Sequence, residues 1–302
     1  NLRWVIPAWK NLIPYTDFLG SRLEILDVTT GERRIIYETS AGIEAPNWTH
    51  DGEYIIYNSS GRVYKLHLPT KKVAWFNTGF EIKNNNDHII SFKGKTLGIT
   101  HLEKGIKKQW TIYKLPINGG EPQQLTYKTP SYLHGWSPDG RFILYTGERD
   151  GQLDIFRTTS DGVGEETRLT SAKGISDGAE YSPDGKYIYF NSNRSGAMRI
   201  WRMDADGRNP IQITHDNFND WFPHISPDGK HIIFLSYRPE VPSDLHLYYQ
   251  NVYLRMMPIS GGAPKVVAYL YGGQGTINVP SWSPDGRYVA FMSNSQLGSG
   301  KP

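Results

Sequence analysis

The chain has 302 residues, enough for one large repeat domain or two ordinary ones. Its 33 basic and 30 acidic residues leave a formal net charge of +3, so neither a nucleic acid nor an anionic membrane surface is the expected partner. The absence of cysteine excludes disulfides, thiol nucleophiles and thiolate metal ligands. No apolar run approaches the roughly 18 residues of a transmembrane helix.

Residues 1–20 are predicted to form an N-terminal extension that packs on the rest of the chain, across it or over one end of a channel. The extension is too apolar for a disordered tail, since it contains Trp4, Ile6, Trp9, Leu12, Ile13, Tyr15 and Phe18. Residues 21–302 are predicted to be a single domain. Because the chain begins at Asn1 rather than at Met, we expect a mature form from which a signal peptide has been removed.

After two predicted strands, at 22–28 and 33–38, a five-residue turn motif recurs along the chain. Its clear copies end in Ser-Pro-Asp-Gly and lie at 136–140, 181–185, 225–229 and 282–286, and a weaker copy lies at 48–52. Proline presets the first corner of a type I turn, aspartate tolerates the second, and glycine takes the left-handed position that follows. A short apolar strand follows each copy, so each motif predicts a β-hairpin.

The spacing of the motif predicts the architecture. The aspartates at 139, 184, 228 and 285 are separated by 45, 44 and 57 residues, and an insertion at about 238–251 accounts for the longest step. Asp51 and Asp139 are 88 residues apart, which leaves room for a hidden copy at 90–94. A period in the mid-forties, filled by four short strands, is typical of a β-propeller blade. Six hairpins therefore predict six blades.

The two ends of the chain are predicted to complete one blade. The N-terminal strand pair has no turn motif before it, and the last motif has room for only two strands. Joining the halves closes the ring and removes free sheet edges. The predicted fold is an all-β, six-bladed β-propeller with four antiparallel strands per blade, closed by N-terminal strands that complete the C-terminal blade.

The repeat resembles the TolB-type propeller repeat, also called WD40-like or PD40. The resemblance is clearest at 181–203, which begins Tyr-Ser-Pro-Asp-Gly-Lys-Tyr-Ile-Tyr-Phe and ends Ile-Trp-Arg-Met, and it covers about residues 21–295. The resemblance implies the six-bladed fold of the C-terminal domain of periplasmic TolB. The same repeat also occurs in prolyl-oligopeptidase-type enzymes and in oligogalacturonate lyases. Only about 20 residues precede the first predicted strands, so we expect no counterpart of the α/β domain that precedes the propeller of TolB. Because the repeats fill nearly the whole sequence, we expect no counterpart of the hydrolase domain that carries the Gly-x-Ser-x-Gly elbow in the peptidases.

Two histidines are the candidate metal ligands. In a propeller the innermost strands begin on one face, around the channel, and alignment on the turn motif places His88 and His134 at equivalent positions of adjacent blades. Two imidazoles with a carboxylate such as Asp87 could bind a divalent metal. In the alternative interpretation the histidines only fill the space that proline occupies in other blades.

Other polar residues are predicted to surround the same opening. Arg149, Arg194 and Arg238 align with one another and could clamp a carboxylate, or each could pair with an Asp or Glu of the same or the next blade. An insertion carrying His246 is expected to overhang this face. The remaining candidate binding residues are Tyr132, Asp177, Asp220, Trp221 and Asn278.

The favoured hypothesis is a non-catalytic, exported or periplasmic propeller that binds a protein segment or an oligosaccharide at the channel face, associated with transport or the envelope. It requires no cofactor and treats the protein as a monomer. The alternative is a metal-dependent polysaccharide lyase of the oligogalacturonate type, with His88 and His134 at its metal. A purely structural ring in a larger assembly is a third hypothesis.

Overall fold

A computed structural model of the chain describes residues 19–79, 83–103 and 109–295. The predicted packing of the N-terminal extension lies outside these ranges, apart from residues 19 and 20. The secondary structure within them consists of 23 β-strands in six sheets. Across the described ranges, no helix has the length and apolarity needed to cross a membrane.

The predicted six-bladed propeller is confirmed. The first two strands of the described residues belong to the closing blade, β1 (Ser21–Asp27) and β2 (Arg33–Thr39). Five four-stranded antiparallel sheets follow, which we call blades 1 to 5. Blade 1 consists of β3 (Glu44–Trp48), β4 (Tyr54–Ser59), β5 (Arg62–His67) and β6 (Val73–Trp75). Blade 2 consists of β7 (Asn84–Ile90), β8 (Thr96–Leu102), β9 (Trp110–Pro116) and β10 (Gln123–Gln124). Blade 3 consists of β11 (Ser131–Trp136), β12 (Phe142–Arg149), β13 (Gln152–Thr159) and β14 (Thr167–Arg168).

The last two complete sheets and one further strand finish the ring. Blade 4 consists of β15 (Ser176–Tyr181), β16 (Tyr187–Ser192), β17 (Arg199–Asp204) and β18 (Ile211–Gln212). Blade 5 consists of β19 (Asn219–Ile225), β20 (His231–Tyr237), β21 (Gln250–Pro258) and β22 (Lys265–Gly272). The further strand is β23 (Tyr288–Asn294), which belongs to the closing blade.

The closing blade combines both ends of the chain, as predicted. Strand β23 pairs antiparallel with β1 from Ser21↔Asn294 to Asp27↔Tyr288, and β1 pairs with β2. The innermost position of this blade is taken by a segment with only a single bridge, Trp282↔Val289, and a backbone hydrogen bond from Ala290 to Ser281. The blade is therefore a three-stranded sheet with a short fourth edge.

The turn motif works through its serine, aspartate and glycine. In the third blade Ser137 Oγ donates to Asp139 Oδ1 at 2.6 Å, and the same carboxylate oxygen accepts from the Arg141 amide at 3.0 Å. Gly140 adopts a φ of 77° and returns a backbone hydrogen bond to Ser137. Serine and aspartate thus replace backbone partners inside the turn, and the hairpin enters β12 with its apolar residues in register.

The hydrophobic core lies between blades rather than at the centre of the ring. Leu133 and Trp136 of blade 3 pack with Ile89 and Ile112 of blade 2, for example, and five other clusters fill similar positions. The indole Nε1 of Trp136 also donates to the Ile89 carbonyl at 3.0 Å. Because apolar burial holds neighbouring sheets together, the ring axis is left for polar groups.

A bulge near the start of each complete inner strand shapes the axial channel. The pairing register shifts between Glu44 and Asn47 in β3, and the inner strands of blades 2 to 5 shift at similar positions. Three blades place a left-handed residue there: Ala45 with φ 56°, Gly178 with φ 64° and Phe222 with φ 54°. A bulge bends its strand and redirects the side chains beside it. These bulges direct the first residues of the inner strands toward the channel.

Candidate functional site

A cavity of about 730 Å³ occupies the end of the channel where the inner strands begin. Its wall comes from the first residues of β3, β7, β11 and β15, from the turn after β4, and from the long loop between β20 and β21. Its volume lies in the usual range for ligand sites. The lining residues are Gly42, Glu44, Asn58, Ser60, Gly61, Lys83, Asn84, Asn85, Asn86, Asp87, Leu102, Trp110, Tyr132, His134, Thr146, Glu148, Leu153, Asp177, Phe222, His246, Gln274 and Asn278.

Two buried carboxyl groups lie on adjacent blades at this wall. Glu44 Oε2 accepts a hydrogen bond from Asn86 Nδ2 at 2.9 Å, and Asp87 Oδ2 accepts one from Asn85 Nδ2. Burial raises the pKa of Glu44 from its ordinary value of 4.5 to about 8, and that of Asp87 from 3.8 to about 6. Amide donors alone do not offset the loss of water around these groups.

A histidine–aspartate pair forms another part of the wall. His134 Nε2 lies 2.9 Å from Asp177 Oδ1, which also accepts a hydrogen bond from Thr146 Oγ1 at 2.6 Å. Burial acts to raise the pKa of Asp177, but the charge and hydrogen bond of His134 hold it well below its ordinary value. Burial acts to lower the pKa of His134, and Asp177 raises it overall. The pair is thus a buried histidine–aspartate contact in which each group favours the charged form of the other.

The insertion in blade 5 reaches the cavity through His246. The His246 ring centroid lies 4.6 Å from that of Trp221, and the ring meets Phe222 edge-on at 5.6 Å. Phe222 also stacks on His134 at 6.2 Å. The Nδ1 atoms of His134 and His246 are buried without a hydrogen-bond partner among the described residues. The inserted loop therefore covers part of the channel face, as expected from the sequence.

Four candidate residues from the sequence line this cavity, namely Tyr132, His134, Asp177 and Asn278. His88 does not, because its ring is fully buried between blades and its Nε2 lies 3.4 Å from the Ile56 carbonyl oxygen. Burial lowers the pKa of His88 to about 4, so the ring is neutral. In the described part of the chain, no three His, Asp or Glu side chains are grouped to hold a metal ion. The described residues therefore supply no further ligand for the predicted metal site at His88 and His134.

The three aligned arginines do not meet at the cavity. Arg149 forms a salt bridge with Glu166 of its own blade at 2.8 Å and lies 5.0 Å from the centre of the Phe156 ring. Arg194 donates to two serine hydroxyls and lies 5.0 Å from the Trp201 ring centre. Arg238 is exposed, and a hydrogen bond with Tyr253 raises its pKa. Arg149 thus pairs with an acid of its own blade, whereas Arg194 and Arg238 bond to hydroxyl groups of theirs.

Asp220 and Trp221 lie beneath the surface of the site. Asp220 is fully buried, where Arg255 Nη2 and Ser236 Oγ each donate to its Oδ1 at 2.7 Å. Arg255 also pairs with Asp216. Trp221 is 1% exposed and supports the His246 ring. Both residues stabilise the wall and neither lines the cavity.

Sequence reasoning missed a set of polar residues late in the second strands. Thr100 Oγ1 accepts from the Leu133 amide of the next blade at 3.0 Å, and Asn191 Oδ1 accepts from the Phe222 amide at 3.0 Å. Thr146 Oγ1 also bonds to the next blade, but as a donor to Asp177 Oδ1. Each residue interrupts an apolar run seven positions after the aspartate or lysine of its turn motif. That regular interruption is the signal that would have identified them, together with Asn58 in blade 1.

The fold and its channel-face cavity define a six-bladed β-propeller with a candidate ligand site at one end of its channel. A family model described as the TolB beta propeller domain matches residues 134–259. An uncharacterized protein of Agrobacterium fabrum is 43% identical over 280 residues, which span 91% of this chain and 92% of that protein. This chain belongs to the TolB-type β-propeller family.

Other relatives give the range of the similarity. The Tol-Pal system protein TolB of Francisella tularensis is 27% identical over 143 residues, or 46% of this chain and 32% of that protein. A solved structure of a TolB candidate from Agrobacterium tumefaciens is 42% identical, with a TM-score of 0.87, and the match covers 92% of this chain and 99% of that one. An oligogalacturonate lyase from Vibrio parahaemolyticus is 14% identical with a TM-score of 0.55, covering 89% of this chain and 77% of that one, a likeness of fold alone.

Proposed function

We propose that this protein is a non-catalytic binding module that receives a segment of a partner protein in the channel-face cavity. The observation that carries the proposal is the cavity itself, a concave site in which polar acceptors and aromatic rings converge. Its relationship to a Tol-Pal system protein supports a protein partner and a periplasmic location. The chain would act there as an envelope-associated or transport-associated adaptor.

The charges around the cavity favour this function over the lyase hypothesis. Glu44, Asp87, Glu148 and Asp177 all line the cavity, whereas Lys83 is the single lysine or arginine among its lining residues. A uronate polymer carries a carboxylate on each sugar and would be repelled by such a wall. The likeness to the lyase extends only to the fold. We therefore retain a neutral glycan as the competing ligand and do not propose uronate cleavage.

The absence of cysteine makes site-specific labelling a direct test. Lys83→Cys places an environment-sensitive fluorophore at the exposed rim, and Val163→Cys, 85% exposed and outside the cavity lining, is the matched control. Random peptides of about twelve residues are selected on the unlabelled protein and titrated against both labelled variants, beside neutral oligosaccharides. We expect the selected peptides to change the fluorescence of the label at position 83 saturably and to leave that of the label at position 163 unchanged. A response to oligosaccharides alone, or no selected ligand acting at position 83, would overturn the proposal.

The predicted divalent metal gives a second discriminating measurement. Because His88 faces away from the cavity and His134 is held by Asp177, we expect peptide binding to be independent of metal. The same titrations are run after exhaustive chelation and after addition of excess manganese or calcium. Binding that disappears on chelation and returns with metal would revive the metal-dependent hypothesis.

A further inference from the structure

We infer that the cavity recognises a cationic side chain, a lysine ammonium or an arginine guanidinium, held between blades 1 and 2 by Glu44, Asn58 and Asp87. This inference rests on the proposed function and specifies which part of a bound segment enters the site. The three residues are contributed by β3, β4 and β7, and all line the cavity. Glu44 and Asn58 are direct partners in the register of β3 and β4.

The first observation is that the carboxyl groups here lack the cation that other buried acids of this chain possess. Asp154 pairs with Arg168 and Asp220 pairs with Arg255. Within the described residues, no lysine or arginine forms a salt bridge with Glu44 or Asp87. The hydrogen bonds these two carboxylates accept come from the neutral amides of Asn86 and Asn85.

The basic group that acts most strongly on Asp87 is the imidazole of His134. That imidazole already has a partner in Asp177, at 2.9 Å. Buried carboxylates are normally paired with a positive charge. Glu44 and Asp87 therefore retain capacity for a cation supplied from outside the chain.

The second observation is an unsatisfied acceptor beside them. In other blades the equivalent polar residue of the second strand accepts from the next inner strand: Thr100 from Leu133, and Asn191 from Phe222. In blade 2 the Asp87 amide instead donates to Asn85 Oδ1, at 3.0 Å. Asn58, 4% exposed, is left with its Oδ1 buried and without a partner among the described residues. A buried acceptor without a donor is unusual and marks a place where a ligand can donate.

Aromatic rings complete the site. Trp110 and Tyr132 line the cavity near Asp87, with ring centroids 6.2 Å apart and planes tilted by 41°. An indole and a phenol present electron-rich faces that attract ammonium and guanidinium groups. The acceptors and the aromatic faces together select for a positively charged side chain rather than a neutral sugar.

The test uses short capped peptides, Gly-Ser-X-Ser-Gly, in which X is lysine, arginine, norleucine, glutamine or glutamate. They are titrated against the protein labelled at Lys83→Cys, at low salt. We expect the lysine and arginine peptides to bind about tenfold or more tightly than those with norleucine or glutamine, and the glutamate peptide to bind least. These comparisons leave the protein unaltered, so they do not depend on the folding of a variant.

Protein variants locate the effect. Glu44→Gln and Asp87→Asn are each expected to reduce the preference for lysine over norleucine by about tenfold, while Glu121→Gln, the same charge change at an exposed position outside the cavity lining, leaves it intact. Equal binding of the norleucine and lysine peptides would overturn the inference, and so would an equal effect of Glu121→Gln. If the longer selected peptides act at position 83 without needing a basic residue, the binding module stands and the cation site falls. If no peptide acts there, both fail.

Discussion

Glu44 illustrates how position in the ring determines the chemistry of a single side chain. Its carboxyl group lies at the start of β3, hydrogen-bonded to Asn86 of the next blade, with 9% of the residue exposed. Burial is the main cause that raises its pKa to about 8, and repulsion from Asp87 adds to the rise. Near neutral pH a substantial share of Glu44 is therefore protonated.

The raised pKa of Glu44 predicts a pH dependence of stability. The folded state holds the proton more tightly than the unfolded chain, so the stabilisation is complete below the ordinary pKa of 4.5 and is lost as the pH rises through about 8. Glu44→Gln should be free of this loss. Urea unfolding of both proteins measures the prediction. Between about pH 5 and about pH 8, the free energy of unfolding of the variant should rise relative to that of the wild type by roughly 1–3 kcal/mol. Parallel curves would contradict the assigned pKa.

Arg255 should matter for stability rather than for binding. Arg255→Met would leave Asp220, which is fully buried, without its cation, and losing one partner of a buried pair costs about 3–5 kcal/mol. Arg208→Met, which removes an exposed pair with Asp206, is the control and should not move the unfolding midpoint. Chemical denaturation measures the stability, and peptide titration at position 83 measures binding below the midpoint. A variant that kept its stability and lost binding would place Asp220 in the site after all.

At the scale of the element, the bulge of the inner strand is the feature that makes the site. Ala45, Gly178 and Phe222 share a left-handed conformation at aligned positions, although two of them are not glycine. Left-handed backbone at non-glycine residues is costly and persists only where its surroundings enforce it. Here the enforcement includes hydrogen bonds between blades, such as that from the Phe222 amide to Asn191.

Gly178 provides a test of that arrangement. A Cβ at Gly178 would lie 2.5 Å from Asn191 Oδ1, the acceptor of the hydrogen bond from Phe222, whereas at Gly185, with a similar φ of 71°, the nearest atom is 3.7 Å away. Gly185→Ala should therefore cost only the backbone strain, about 1 kcal/mol, and Gly178→Ala about 2–4 kcal/mol. Denaturant unfolding of the two variants measures the difference. Equal losses would mean that Asn191 moves aside freely and that its hydrogen bond contributes little.

The strands and turns were predictable because each is specified locally. In Ser-Pro-Asp-Gly every residue has its own conformational role, and the spacing of the copies counts the blades. The site was only partly predictable, because it depends on contacts between blades. The alignment that placed Tyr132 and Asp177 at the cavity also paired His88 with His134, yet the bulge in β7 leaves His88 buried against Ile56. Likewise, Arg149 pairs with Glu166, which lies in the loop between β13 and β14 of the same blade. No spacing in the sequence identifies that partner.

At the scale of the whole molecule, the closing blade bonds to both of its neighbours. On one side Arg33 donates to the Tyr269 carbonyl of blade 5 at 2.9 Å, and on the other Ser281 Oγ donates to the Pro46 carbonyl of blade 1 at 2.6 Å. Within the blade, Glu24 accepts from both Arg33 and Ser293, so one buried carboxylate links the two ends of the chain. The cavity is shaped by inner strands from around the ring, and its geometry therefore depends on this closure.

A disulfide across the closure measures how much the ring depends on it. Ser21 and Asn294 are paired residues of β1 and β23, with Asn294 Nδ2 3.3 Å from Ser21 Oγ, so Ser21→Cys/Asn294→Cys should form a bridge in a chain that has no other cysteine. The bridge encloses nearly the whole chain, and loop closure predicts that the oxidised form is more stable than the reduced form by about 5 kcal/mol. Tyr187→Cys/Asp204→Cys, across β16 and β17, closes a short loop inside one blade and should contribute about 3 kcal/mol. Unfolding of each variant with and without reductant gives both values. If the disulfide between β1 and β23 stabilised the protein no more than the one between β16 and β17, the two ends of the ring would already remain together in the unfolded ensemble.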